Sequence, residues 1–254
     1  MDRLDAARLQ LPGLEARVLA RCRSTNSELL AAGVTRPVLL ACEEQTAGRG
    51  QRGRRWHSLP GASITFSLAR LIRRPVRELA ALSLVAGVAC VRALRALGAT
   101  RIALKWPNDL MLDGGKLGGI LVETRAHGGA ALVVVGVGIN WRASEALARR
   151  ARRRVASLDQ LPGFSASRNE IVREAARELL AALLAFEAAG LEAVRREWEA
   201  LDAHAGQRLR VRLADGRVVS GIAAGLAADG ALQLRTRAGV RAVASGLVLS
   251  ARAA

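Results

Sequence analysis

Gly48-Arg49-Gly50-Gln51-Arg52-Gly53, running on into Arg54-Arg55-Trp56-His57-Ser58-Leu59-Pro60, is where two architectures part. The run matches GxGxxG literally, and it follows the apolar stretch Val38 to Glu43, which reads as a strand. A dinucleotide fingerprint would need an amphipathic helix next, and an acidic residue about 20 positions further on. Neither is present, so the doubly wound reading fails. Glycines at 48, 50 and 53 instead let the backbone bend tightly and turn N–H groups toward an anion. Arg49, Arg52 and Arg54 could add charge-assisted forks to a phosphate or carboxylate. A flexible basic surface loop is the plain alternative.

The flanking sequence predicts an α+β fold. Thr25 with Glu28 forms a capping box opening a short helix that ends near Gly33. Ala62 to Leu68 alternates as a second strand, and Arg77 to Gly98 has helical periodicity with a glycine stop. Ile102 to Lys105, Leu110 to Leu112, Leu117 to Glu123 and Ala131 to Val137 read as strands. Their turns are Asp113-Gly114-Gly115 and His127-Gly128-Gly129. Ser167 with Glu170 caps a helix reaching about Gly190, and a further helical segment spans Leu191 to Leu201. From Gln207 to Ser250 the texture changes to short alternating runs split by Ala-Asp-Gly turns, a small all-β module of four or five strands. The expected division is 1–203 and 204–254.

Composition narrows the function less. The formal net charge of +17 invites nucleic acid, but it equally suits an anionic small substrate or an acidic protein partner. No recognition helix or aromatic stacking signature accompanies it, and Tyr is absent. Arg or Glu interrupts every apolar run before it reaches membrane-span length, and the N-terminus has no signal-peptide core. Cys22, Cys42 and Cys90 show no pairing or CxxC pattern, which fits free thiols in a reducing cytoplasm.

Of the 39 basic residues only Lys105 and Lys116 are lysine, and both fall in one window. It runs from Lys105-Trp106-Pro107-Asn108-Asp109 to Lys116-Leu117-Gly118-Gly119. A compact ammonium retained where every other cation is arginine points to a point-charge role such as phosphate neutralisation. As a Walker loop the window fails, with Leu117 where Ser or Thr is required and Leu110 in place of the first Gly. Asp109 is a candidate magnesium ligand and Asn108 a partner for its hydration shell or for a phosphate oxygen; an ordinary turn explains the pair as well. Gly136-Val137-Gly138-Ile139-Asn140 ends a strand on an amide that could pair with the adenine edge, or is a structural turn. Arg149-Arg150 and Arg152-Arg153-Arg154 lie in the long connection from Arg142 to Ser167, either as solvated charge or as a lid over a nucleotide.

Taken in order and spacing, five segments resemble the biotin–protein ligases, also called biotin–[acetyl-CoA-carboxylase] ligases. They are Ser24-Thr25-Asn26, Gln45 through Trp56, Lys105 through Asp109, Lys116-Leu117-Gly118-Gly119-Ile120-Leu121-Val122-Glu123 and Gly136 through Asn140. The resemblance implies a mixed-sheet, class II synthetase-like catalytic domain followed by an SH3-like C-terminal module. It implies a biotin pocket of Ser24, Thr25, Asn26, Gln45, Gly48, Arg49, Gly50, Arg52, Trp56, Lys116, Gly118, Gly119 and Ile120. It implies nucleotide contacts from Arg52, Arg54, Lys105, Asn108 and Asn140, with Lys116 and Arg49 as the catalytic charges.

Biotin and ATP would be substrates with magnesium, and biotin carboxyl carrier protein the acceptor, in the cytoplasm. Lipoate ligases share the fold, but their signature is absent. Longer members begin with a helix-turn-helix repressor domain; here Ser24 lies only about two dozen residues from the start, so no specific DNA binding is expected. No membrane is expected, and either a monomer or a homodimer fits. Gln51 stands where well-known relatives have arginine, and its loss of charge predicts faster escape of the activated intermediate.

Overall fold

The computed structural model describes residues 2–145, 149 and 154–253. A seven-stranded mixed sheet forms the first part, in the order β1-β2-β3-β7-β6-β5-β4. Its strands are β1 (Glu15–Cys22), β2 (Val38–Gln45), β3 (Ser63–Ile72), β4 (Ile102–Lys105), β5 (Asp109–Leu112), β6 (Gly115–His127) and β7 (Ala130–Asn140). Only β1 and β2 pair in parallel; every other neighbour is antiparallel. β1 escaped the sequence reading because charges interrupt it and only Ala16 and Cys22 are buried. An edge strand needs little apolar signal.

The two faces of the sheet carry different loads. On one, Phe66, Leu68, Val133, Val135 and Val137 join the main core with α2 (Leu82–Ala96) and α3 (Arg168–Ala189). The other face bears the short helix α1 (Thr25–Ala32), whose Leu29 packs with Val38, Leu40, Ala69, Leu132 and Val134. α2 is buried almost all round, as its Ala-, Leu- and Val-rich sequence requires. Val76–Ala96 is the one stretch, among the described residues, with the length and mean hydropathy (1.7) of a membrane span. Of that window 78% is buried inside the fold, so it is accounted for as a core helix.

Two helix starts differ from expectation. The Thr25–Glu28 capping box does not form; Ser24 is the N-cap without a side-chain bond, and Gln45 Oε1 accepts from the Thr25 N–H at 2.8 Å. The Thr25 hydroxyl is held elsewhere, by Ser67 Oγ at 2.6 Å. The helix expected from Arg77 begins at Leu82, after a 3₁₀ stretch Val76–Ala81 that follows Pro75. At Ser167 the predicted box with Glu170 is present and reciprocal.

After α4 (Arg195–Leu201) comes a five-stranded antiparallel sheet, order β11-β10-β9-β8-β12. It comprises β8 (Arg208–Arg212), β9 (Val218–Leu226), β10 (Leu232–Thr236), β11 (Gly239–Val243) and β12 (Leu247–Arg252), the all-β module the sequence predicts and the SH3-like one the resemblance implies. The passage between the parts is anchored: the Ala203 N–H donates to the Leu104 carbonyl at 2.8 Å, and the Trp106 indole N–H to the Gly230 carbonyl at 3.2 Å.

Asp202 and His204 lie in this passage, and burial shifts both. It raises the Asp202 carboxyl to about 6; with the Lys105 charge it pulls His204 down to about 4. The signs oppose each other. The raised acid stabilises the fold below its unfolded value of 3.8, and that contribution is lost as pH rises through 6. The depressed imidazole stabilises above 6.5, and its contribution is lost as pH falls through 4. In His204→Gln only the Asp202 contribution survives. Its Tm should therefore rise, relative to the parent, on acidification from about pH 7 to about pH 4.5. Parallel pH profiles for the two proteins would reject this.

Candidate active site

On the α1 face of the sheet the strand side chains shrink to almost nothing. Pairing aligns Ser67 with Gly136, Thr65 with Gly138, and Gly138 with Gly119. The space so left is a cleft of about 720 Å³. Its glycines are steric requirements. A Cβ on Gly136 would sit 2.3 Å from Asn26 Oδ1, and one on Gly138 2.3 Å from the Trp56 ring. The run Gly136-Val137-Gly138 is thus no turn; it is strand interior hollowed to seat two side chains.

Asn26 is fixed from three sides. Its Nδ2 donates to the Leu121 carbonyl (3.1 Å) and Glu123 Oε2 (2.9 Å), and Ser67 Oγ lies 2.6 Å from its Oδ1. Ser24, Thr25 and Asn26 are all buried. Ser67 and Glu123 are site residues that the sequence reading missed, Ser67 because nothing distinguishes it from an ordinary strand serine. Glu123 Oε2 also accepts from Arg49 Nη2 at 2.9 Å, joining the glycine–arginine loop to the sheet.

That loop is a closed hairpin. The Gly50 N–H donates to the Arg54 carbonyl (2.7 Å) and the Trp56 N–H to the Gly48 carbonyl (2.9 Å). The Gly50 N–H is therefore engaged inside the loop and does not point at an anion, as the glycine pattern had suggested. Gly48 is needed for close approach, since a Cβ there would lie 2.7 Å from the Trp56 carbonyl. At the tip Arg52 takes the left-handed conformation (φ 59°), and its Nη2 donates to the carbonyl of Gly246, just before the second sheet's β12. Burial first, then the neighbouring Arg54 and Arg212 cations, pull Arg52 below the ordinary guanidinium range.

The floor carries the lysine window. β5 and β6 pair so that Asp109 faces Gly119, and Lys116 Nζ bonds Asp109 Oδ1 in a largely buried ion pair. Lys116 also stands 6.0 Å from the Trp56 ring centroid. Asp109 is the only acidic side chain lining the cleft among the described residues, and no group of three or more metal-ligating side chains occurs among them. Asn108 Nδ2 donates to the Ile120 carbonyl at 2.7 Å.

Asn140 lines the cleft and is itself held by the fold. Its Nδ2 donates to the carbonyls of Lys116 (3.2 Å) and Ala156 (3.0 Å), which engages both amide hydrogens. Those two bonds pin the 154–156 segment against β6. There the Lys116 N–H donates to the Arg154 carbonyl and the Ala156 N–H returns to Lys116. Arg150, Arg152 and Arg153 lie outside the described residues, and Arg149 pairs with Glu145 at 2.8 Å.

Of the predicted residues, Ser24, Thr25, Asn26, Gln45, Arg49, Gly50, Arg52, Arg54, Trp56, Lys105, Asn108, Asp109, Lys116, Gly119, Ile120 and Asn140 all line the cleft. Gly48 and Gly118 do not; both serve backbone packing, a Cβ on Gly118 falling 2.5 Å from the Gly138 carbonyl. The cleft also takes Phe66, Val155 and the β12 edge Gly246 to Leu249, which no sequence motif announced.

Known proteins resemble this chain in sequence and in fold. Residues 18–140 match the Biotin/lipoate A/B protein ligase family, and residues 204–249 match the Biotin protein ligase C terminal domain. The chain is 38% identical to the bifunctional ligase/repressor BirA of Escherichia coli, over 89% of this chain and 70% of that one. It is 36% identical to the biotin–[acetyl-CoA-carboxylase] ligase of Mycobacterium tuberculosis, over 92% and 88%. The crystal structure of the biotin protein ligase of Aquifex aeolicus in complex with biotin and ATP superposes with a TM-score of 0.79 at 26% identity, over 94% of this chain and 99% of that one. With its sequence, its sheet and its second module all matched along most of their length, the chain belongs to the biotin protein ligase family.

Proposed function

We propose that this protein joins biotin to ATP and passes the activated acid to a lysine of biotin carboxyl carrier protein of acetyl-CoA carboxylase. The observation that carries this is the convergence of five separated segments on one cleft, lined by arginines and by Lys116. In the first step a biotin carboxylate oxygen bonds to the α-phosphorus of ATP, and the α–β bridging bond breaks with pyrophosphate leaving. In the second, the acceptor's neutral amine bonds to the biotin carbonyl carbon. AMP departs with the electron pair of the broken C–O bond, and the nitrogen loses a proton.

Both partners of the first step are anions, so the work is charge neutralisation and alignment. Asn26, Thr25 and Gln45 form the polar end of the biotin site, with Ser67 and Glu123 holding Asn26 in place. Trp56 over Gly138 supplies the apolar wall. Lys116 and Arg49 are the cations for the carboxylate and the α-phosphate; each now rests on a carboxylate, Asp109 and Glu123, that an incoming anion would replace. Lys105, Arg52 and Arg54 face the rest of the nucleotide. The residues do not fit a protein-built magnesium site: one carboxylate, already paired with Lys116, falls short of the oxygen ligands such a site uses. The three buried thiols are free, which suits the cytoplasm.

Exchange of labelled pyrophosphate into ATP tests the reading, run with biotin and with lipoate. Exchange with biotin, and biotin transfer to the purified carrier domain, are the expected results; exchange driven by lipoate alone would replace the reading by a lipoate ligase. Gln51 lines the cleft beside the loop tip. Gln51→Arg should lower stray labelling of bystander proteins severalfold by retaining the activated acid, and equal labelling would dismiss that role.

A further inference from the structure

The second module holds eight arginines and only two aspartates within residues 207–254. Five of them share one face of the sheet. β8 alternates with Leu209 and Val211 inward and Arg208, Arg210 and Arg212 exposed. Register carries the pattern across the sheet: Arg252 on β12 faces Arg208, Arg208 faces Ile222 on β9, and Ile222 faces Arg235 on β10. None of these five arginines makes an ion pair with a described residue. In the first part the arginines facing carboxylates are tied down, as in Arg92–Glu197, Arg177–Glu174 and Arg36–Glu15. Five unopposed guanidiniums on one sheet face repel one another, so the fold gains nothing from gathering them.

The face also has a direction. Leu247 pairs with Arg212, and Leu247 to Leu249 line the cleft. From Arg212 the stripe runs along β8 to Arg208, roughly 13 Å from the cleft rim at ordinary strand rise. Exposed Val218, Val240 and Leu249 lie among the charges. No aromatic residue occurs within 207–254, so nucleic-acid bases would find nothing to stack on. A mixed apolar and cationic surface leading to a cleft fits a protein bearing an acidic face.

We propose that this arginine face docks the acceptor protein through an acidic surface, steering its lysine to the cleft mouth beside β12. The proposal rests on the ligase reading above. Charge-complementary steering acts on the encounter, so it belongs to the KM for the acceptor and leaves the adenylation step untouched.

The test is Arg208→Glu combined with Arg210→Glu and Arg235→Glu, beside the matching triple lysine variant. Expected is a KM for the purified carrier domain raised about tenfold or more in the glutamate variant, with kcat and biotin-dependent pyrophosphate exchange within about twofold of the parent. The lysine variant should stay near the parent. An unchanged acceptor KM with intact exchange overturns the proposal, and if binding of a single-stranded oligonucleotide falls at the same time, the face is a nucleic-acid site. Should the glutamate variant fail to fold, salt applied to the parent decides. Raising salt from about 0.05 M to about 0.5 M should raise the acceptor KM about tenfold and leave the biotin KM flat, and a flat acceptor KM refutes docking. A parent without biotin-dependent exchange rejects the ligase reading itself, a distinct failure.

Discussion

Lys116→Ala should abolish measurable biotin-dependent pyrophosphate exchange, a loss of roughly 10²–10³ or more, while leaving the far-ultraviolet spectrum and the oligomer profile unchanged. The ammonium sits on the cleft floor, largely buried, against the Asp109 carboxylate and facing the Trp56 ring. In that setting a fixed charge acts through less screening than it would at the surface. The variant does leave Asp109 without its cation, so Asp109→Asn in the same background is the control for a merely structural deficit. If the double variant recovers stability but not exchange, Lys116 acts on the substrates. Near-normal exchange in Lys116→Ala would remove the centre of the proposed chemistry.

Gly136→Ala should raise the KM for biotin by about one to two orders of magnitude, with a smaller fall in Tm. The added methyl would lie 2.3 Å from Asn26 Oδ1, and Asn26 has no room to yield. Its bonds to Leu121, Glu123 and Ser67 would have to break or stretch, each an unsatisfied buried polar group at about 1–3 kcal/mol. Gly138→Ala makes a useful contrast. There the obstacle is the half-buried ring of Trp56, borne on a largely exposed loop outside the sheet. Its effect should be milder and visible as a change in tryptophan fluorescence on adding biotin. Equal KM values in Gly136→Ala and the parent would show that Asn26 is not held for ligand binding.

Much of this was legible in the chain. Strands from Val38 onward, the capped helix at Ser167 and the change of texture after Gly206 follow from period-two and period-three-to-four patterns. The site motifs were visible because they combine rare residues, two lysines among 39 cations and glycines at fixed spacing. What escaped has a common cause. β1 is an edge strand with too little burial to mark it; Ser67, Glu123 and Phe66 act through partners distant in sequence. Asn140 was legible as a cleft residue, whereas only the fold shows that the Lys116 and Ala156 carbonyls converge on its amide. The glycines at 136 and 138 looked like a turn because their neighbours Asn26 and Trp56 lie about 80 or more positions away in the chain.

The bond from Arg52 to the carbonyl of Gly246 spans two modules, yet only one of its ends is encoded by a side chain. Every amino acid supplies a main-chain carbonyl, so random substitution at 246 cannot delete the acceptor. What it can do is push the strand aside, because a Cβ there would meet Val211 Cγ1 at 2.4 Å. Heredity therefore guards this clasp unequally: replacing the arginine at 52 removes the hook, whereas drift at 246 merely misplaces the eye into which it fits.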